Sequence, residues 1–249
     1  MQRTGALLSI IVPAFNEHRT IGQVLRRIAE LDLPIAREVI VVDDGSTDET
    51  LRVAQAEADR YDFIRVVQME RNGGKGAAIR HGATLATGDI LVIQDADLEV
   101  DPGEYVQMLV PMLRDGADVV YGSRFLGRPW RWQVGYVANR FLTGMTNVLF
   151  GGKLTDMETS HKMMRTDVFR QLVLTGDRFE IEPEITSKIL RSGHQILEVP
   201  IAYEPRTHAD GKKIGWRDGL VAVRTLAKIR VTSRDRIVRG PRPPSPRAS

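Results

Sequence analysis

Residues 38–50 read EVIVVDDGSTDET, and this stretch decides the fold. Val39, Ile40, Val41 and Val42 form an uninterrupted apolar run, the pattern of a strand buried on both faces. Two acids and a glycine end it. Ser46-Thr47-Asp48-Glu49 then has capping-box spacing, in which hydroxyl and carboxylate each satisfy an orphan backbone N–H. A helix is expected from there to about Tyr61. A buried strand, a polar turn and a helix make the repeating unit of a parallel sheet.

The same unit recurs on both sides. Upstream, LLSIIVP (7–13) is a second buried strand, and Thr20 opens a helix with Ile21, Val24, Leu25 and Ile28 on one face. Downstream, FIRVVQM (63–69) is a strand, and NGGKGAAIRHGATLA (72–86) opens a helix after its glycines. DILVIQD (89–95) is the fourth strand, and Asp101-Pro102-Gly103-Glu104 supplies an N-cap, an N1 proline and an N3 acid for the next helix. ADVVYGS (117–123) is the fifth strand. The expected class is α/β, with a mostly parallel central sheet and helices on both faces. Function in such sheets sits beyond the C-terminal strand ends.

Composition narrows the chemistry. The 249 residues include no cysteine, which excludes disulfide scaffolds, thiol nucleophiles and iron–sulfur clusters. The net charge of +3 hides a split: residues 206–249 hold 12 basic and 3 acidic residues, and the preceding 205 are net negative. A basic end on an acidic body predicts an anionic partner there. No apolar run approaches the roughly 20 residues of a membrane span, and no signal pattern precedes Leu7. The chain is therefore expected on the cytoplasmic side, with any membrane attachment peripheral or shared with a membrane-protein partner. Residues 1–230 are expected to form one domain, and 232–249, ending RGPRPPSPRAS, a disordered basic tail.

The strand ends collect the reactive residues. They are Pro13-Ala14-Phe15-Asn16-Glu17, Asp43-Asp44-Gly45-Ser46, Asn72-Gly73-Gly74-Lys75-Gly76, Asp95-Ala96-Asp97-Leu98-Glu99 and Gly122-Ser123-Arg124. Asp95 and Asp97, two apart at a strand end, suit a hard divalent cation, and Glu99 adds a third oxygen. Such a cation neutralises a diphosphate leaving group. The glycines around Lys75 allow close backbone approach, and the lysine is expected to face phosphate. The spacing is not that of a P-loop, and no G-x-G-x-x-G follows the first strand, so kinase, ATPase and dinucleotide chemistry lack support.

SIIVPAFNE, VIVVDDGSTDET, NGGKGAAIRHG, DADLE and YGSRF, in this order, resemble family 2 inverting glycosyltransferases of the nucleotide-diphospho-sugar (GT-A) fold. The likeness spans roughly residues 7–230 and is nearest to the dolichyl/polyprenyl-phosphate mannosyltransferase-like group. Asn139-Arg140, TDMETSHKMMR (155–165), EVPIAYEPR (198–206) and GKKIGWRDG (211–219) extend it. The resemblance implies that Pro13, Phe15, Glu17, Val42 and Asp44 line the base and ribose pocket. It implies that Asp95 and Ala96 lie against nucleotide and sugar, and that Asp97 is the main ligand of Mg²⁺ or Mn²⁺, with Glu99 beside it. Phe15 stands where tyrosine is more frequent, which keeps stacking and loses a hydroxyl. Arg124, Arg140, Arg206 and either Lys212 or Lys213 are implied to bind donor diphosphate and acceptor phosphate.

The reaction implied is transfer of a hexose, mannose or glucose, from a GDP- or UDP-sugar to a polyprenyl phosphate. A phosphate acceptor is already an oxyanion and needs cations to offset anion–anion repulsion. A hydroxyl acceptor needs a base, and Asp156 or Glu158 are the alternatives to a helix cap and a structural ion pair there. Two stretches are candidates for the membrane surface. WRWQVGYVANRFLTGMTNVLF (130–150) is either an interfacial helix or one packed in the fold. Residues 215–231 read as a basic amphipathic helix with Trp216, Leu220, Val223 and Ala227 on one stripe and Arg217, Arg224 and Lys228 on another. Nothing resembles a nucleic-acid module.

Overall fold

A computed structural model describes residues 5–127, 134–204 and 216–240. Strands β1 (Leu7–Ala14), β2 (Ala36–Asp43), β3 (Ile64–Gln68), β4 (Ile90–Ile93), β5 (Val119–Ser123), β6 (Lys162–Arg165) and β7 (Leu197–Pro200) form one sheet, ordered β3-β2-β1-β4-β6-β5-β7. All neighbours are parallel except β6, which runs antiparallel between β4 and β5. The helices are α1 (Ile21–Glu30), α2 (Thr50–Ala58), α3 (Lys75–Leu85), α4 (Tyr105–Arg114), α5 (Val134–Phe150), α6 (Thr166–Gln171), α7 (Ile181–Ser192) and α8 (Trp216–Val231).

The apolar runs supply both faces because successive side chains alternate across a strand. Ile10, Val12, Val39, Val41 and Val92 face one core with α1 and α4, through Ile21, Val24, Leu25, Ile28, Met108 and Leu109. Ile11, Ile40, Val42, Leu91 and Ile93 face the other with α3 and α7, through Ala78, Ile79, Ile181, Ile185 and Ile189. A third cluster joins Leu142 of α5 to Ala222 and Leu226 of α8.

Five strands fall where the sequence puts them, with small changes at their ends. β6 and β7 are additional. Lys162–Arg165 is four residues long with a cation at each end, so it carries no strand pattern; its two methionines do the packing. The expected capping box before α2 is not formed. The Ser46 hydroxyl accepts the Asn16 amide (3.0 Å), and Asp48 Oδ1 accepts the Thr50 amide (2.9 Å).

One C-terminal expectation also changes, that of the tail. α8 buries Ala222, Leu226 and Ile229 against the fold and leaves Leu220 and Ala227 of the expected stripe exposed. Packing between α5 and α7 sets that rotation, and Arg191 of α7 donates to the carbonyls of Ile229 and Thr232. Residues 232–240 are packed rather than tail: Ile237 and Val238 are buried, and the Arg239 amide donates to the Gln171 carbonyl (2.7 Å). Two apolar residues suffice to dock the segment on the core of α6 and α7. Residues 241–249 lie outside the described residues.

Candidate active site

The C-terminal ends of β1, β2 and β4 lie side by side, because these strands are neighbours in parallel register. Beyond β1, Pro13 is buried, Phe15 is half-buried, and the Glu17 amide donates to Thr50 Oγ1 (2.7 Å). Beyond β2, Asp44 is almost wholly buried and its two oxygens accept the amides of Gly73 and Gly74, each at 2.7 Å. Gly74 has φ of 95°, a conformation that glycine adopts without cost. A Cβ on Gly74 would collide with the Asp177 carbonyl oxygen, and one on Gly76 with that of Gly176. The close backbone approach expected of these glycines is therefore real, but the backbone that approaches is residues 176–177 of the same chain.

Lys75, expected to face phosphate, is engaged elsewhere. Its Nζ lies 2.7 Å from Asp95 Oδ1 and 2.9 Å from Glu182 Oε1. Burial disfavours its charge, but the two carboxylates overcome that and raise its pKa above the ordinary lysine range. Asp95 responds in the opposite sense: burial pushes its pKa up, and Lys75 and a Ser160 hydrogen bond bring it below the usual value.

The loop after β4 is pinned from below. Buried Gln94 donates to the carbonyls of Asp95 (3.1 Å) and Val100 (3.3 Å), and its own oxygen accepts the Tyr105 hydroxyl (2.7 Å). Ala96 is buried in the core, while Asp95, Asp97 and Glu99 are each partly exposed. Asp97 Oδ1 accepts the Glu99 amide (3.1 Å), and Glu99 Oε2 accepts the Tyr203 hydroxyl (3.2 Å).

Tyr203 connects this acidic loop to the end of β5. The Arg124 guanidinium lies 5.1 Å from the Tyr203 ring centroid and makes a bidentate pair with Asp156 (2.7 and 2.8 Å). Asp156 is fully buried and also accepts from Asn139 Nδ2 (2.9 Å). Burial would raise its pKa, but Arg124 holds it below the carboxylate range. Glu198 of β7 accepts the amides of Thr155 (2.8 Å) and Asp156 (3.0 Å), and Arg140 donates to the Thr155 carbonyl (3.1 Å). Glu158 contrasts with Asp156. Its Oε1 is buried without a hydrogen-bond partner, and burial, opposed by Lys162 and aided by Glu182, pushes its pKa up to about 7.

The structure thus gathers Asp95, Asp97, Glu99, Lys75 and Arg124 at one edge, with Arg140 reaching the same Thr155–Asp156 turn. Val42 stands apart: its side chain is fully buried under α3 and presents no surface to a ligand. Arg206, Lys212 and Lys213 lie outside the described residues. Sequence reasoning missed Glu182 and Lys162, and it gave no separate role to Asp43, whose Oδ1 is buried without a partner. The signal for Glu182 was its place at the start of a helix, acidic residues being favoured there for other reasons.

The acids fit a divalent ion of a particular kind. No cluster of three or more acidic or histidine side chains positioned to enclose a metal occurs among the described residues. Asp97 and Asp95 are hard oxygen donors, but Asp95 Oδ1 is shared with Lys75. Mg²⁺-like ions commonly use one or two carboxylates and complete their shell with substrate phosphates, and this donor set matches that pattern.

Comparisons with known proteins identify the family and the fold. The model of glycosyl transferase family 2 matches residues 9–173. The chain is 31% identical over 215 residues to a dodecaprenyl-phosphate galacturonate synthase from Rhizobium johnstonii, covering 82% of this chain and 61% of that protein. It is 28% identical over 217 residues to a dolichol-phosphate mannosyltransferase from Pyrococcus furiosus, covering 84% and 59%. The chain thus spans about three fifths of the length of these curated relatives. Glucosyl-3-phosphoglycerate synthase from Mycobacterium tuberculosis, solved with UDP, superposes with a TM-score of 0.70 at 23% identity, covering 91% of this chain and 80% of that one. The same enzyme solved with Mn²⁺, UDP and phosphoglyceric acid superposes with a TM-score of 0.70 at 22% identity, covering 92% and 80%.

Proposed function

The chain belongs to glycosyl transferase family 2 and has the GT-A glycosyltransferase fold, and from this we propose that it moves a hexose from a nucleotide-diphospho-sugar to a polyprenyl phosphate. The observation that carries the reading is the juxtaposition of the Asp95–Asp97–Glu99 loop with Arg124 through Tyr203. Acids and cations at one strand edge suit two anions that must meet: a diphosphate that leaves and a phosphate that attacks. Both curated relatives named above are polyprenyl-phosphate enzymes by name, which supports the same acceptor class.

Asp97 and Asp95 would hold Mg²⁺ or Mn²⁺, which supplies charge neutralisation for the departing diphosphate. Phe15 and Glu17, at the end of β1, stand where a base and ribose would rest. The acceptor phosphate is largely dianionic near neutral pH, its second pKa being about 6, so no base has to create the nucleophile. Its oxygen attacks the anomeric carbon from the face opposite the diphosphate. The new C–O bond forms as the sugar–diphosphate bond breaks, and configuration inverts. Arg124 and Arg140 supply positive field against the repulsion of the two anions. Asp156 is the anchor of Arg124 in this scheme and cannot serve as a base, since Arg124 and Asn139 occupy its oxygens.

One observation favours a second reading. Glu158, with an unpartnered oxygen and a pKa of about 7, is suited to deprotonate a hydroxyl acceptor. That reading predicts activity that rises through pH 7 and is lost in Glu158→Gln. The test of the first is incubation with Mn²⁺, labelled GDP-mannose or UDP-glucose, and short-chain polyprenyl phosphate, followed by organic extraction. Label in the organic phase supports it; label confined to water overturns it.

The lipid acceptor also gives meaning to α5 and α8. Val137, Phe141 and Val148 form one exposed stripe on α5, with Phe141 64% and Val148 85% accessible. Leu220, Val221 and Val231 are exposed on the adjoining α8, among exposed Arg224, Lys228 and Arg230. We assign this face to the surface of an anionic bilayer. No helix among the described residues is long and apolar enough to cross a membrane.

A further inference from the structure

Lys75 is the second member of a run of alternating charges that crosses the site: Asp95, Lys75, Glu182, Lys162. These come from four elements, the end of β4, the start of α3, the start of α7 and β6. Lys162 is fully buried, pairs with Glu182 Oε2, donates to the Thr159 carbonyl and lies 5.1 Å from the Tyr121 ring centroid. Glu182 is 4% exposed. Buried charges of this kind are tolerated only when each has a close, opposite partner. The backbone of Lys75 is fixed as firmly as its side chain. Gly74 and Gly76 leave no room for a Cβ against residues 176–177, and the Ala77 amide donates to the Asp177 carbonyl (3.1 Å).

An ammonium group has three donors and no acceptor. Two carboxylates within 2.9 Å engage two of those donors and leave at most one for a phosphate oxygen. We propose that Lys75, steered by Glu182, is a positioning residue that sets the orientation of Asp95 toward the divalent ion and diphosphate, and is not itself a phosphate ligand. Lys162 completes the device by balancing Glu182. This rests on the donor half of the proposed function and is independent of the acceptor.

The test measures affinity for GDP and UDP by calorimetry, without metal and at saturating Mn²⁺, in the wild type, Lys75→Met and Glu182→Gln. The ratio of the two affinities is the coupling between metal and nucleotide. A partner that orients a metal ligand typically changes metal affinity by about 10–100-fold when removed. Lys75→Met is expected to lower the ratio by about tenfold or more. Glu182→Gln should move the ratio in the same direction by less, and the double variant should be far from additive. Loss of metal-free affinity with an unchanged ratio would show a direct phosphate contact and overturn the proposal. An unchanged ratio and unchanged affinities would overturn it too. If Lys75→Met does not fold, the isosteric Glu182→Gln decides between these outcomes by the same two titrations. No binding by the wild type, with or without Mn²⁺, would overturn the donor reading and this inference together; binding with an unaltered ratio sinks only the inference.

Discussion

At the scale of single residues, acids that look alike in sequence separate by their surroundings. Asp97 sits in the loop after β4, where its carboxylate accepts the Glu99 amide. Removing a group that stabilises developing charge on a leaving group costs about 100–1,000-fold in rate. Asp97→Ala should lose at least that lower figure in sugar transfer while keeping its melting temperature. Glu158 makes a different prediction. Its pKa rises from 4.5 to about 7 on folding, so between those values the folded chain holds a proton that the unfolded chain has released. Stability from this group therefore falls as pH climbs from 4.5 to 7 and stays reduced above. Glu158→Gln should melt higher relative to wild type at about pH 8 than at about pH 5. An equal difference at both pH values would contradict the assignment. The pairing of Asp95 with Lys75 was not legible in the sequence, because Glu182, the residue that shares the lysine, lies more than 100 positions away. Charge type was visible; partner choice was not.

At the scale of elements, the glycine turn before α3 is a packing joint. Gly76→Ala should destabilise the protein by about 1–3 kcal/mol, because its methyl meets the Gly176 carbonyl. Gly144 on α5 is the counter-case, since a Cβ there would meet no atom of another element within 4 Å. Gly144→Ala should stabilise by about 0.5–1 kcal/mol through helix propensity alone. Denaturant titration of both variants checks the contrast. Elements with a strong local pattern were readable: the runs in β1, β2 and β4 are apolar and closed by turn residues. β6 and β7 were not, since four residues with charges among them become a strand only when β4 and β5 are in place to pair with them. The face buried by α8 was hidden for a related reason. Leu220 and Leu226 lie on different sides of the helix, and only the position of α5 and α7 decides which is covered.

At the scale of the whole molecule, the charge split and the apolar stripe are both assigned to the proposed bilayer face. The basic end carries Arg224, Lys228 and Arg230 beside the exposed stripe of α5 and α8. Binding to anionic vesicles should exceed binding to neutral ones and weaken as salt is raised, each surface cation contributing about 1 kcal/mol. Phe141→Asp should reduce vesicle binding without changing GDP or UDP affinity, measured by co-sedimentation and calorimetry. Equal binding to neutral and anionic vesicles would contradict the electrostatic part of this reading. The choice of acceptor is tested most directly by nucleoside diphosphate release with polyprenyl phosphate against the same chain length of polyprenol. Both assays contain Mn²⁺ and GDP-mannose or UDP-glucose. Release is expected with the phosphate and none above background with the alcohol; release with the alcohol at an equal rate, or release indifferent to either lipid, would contradict that choice.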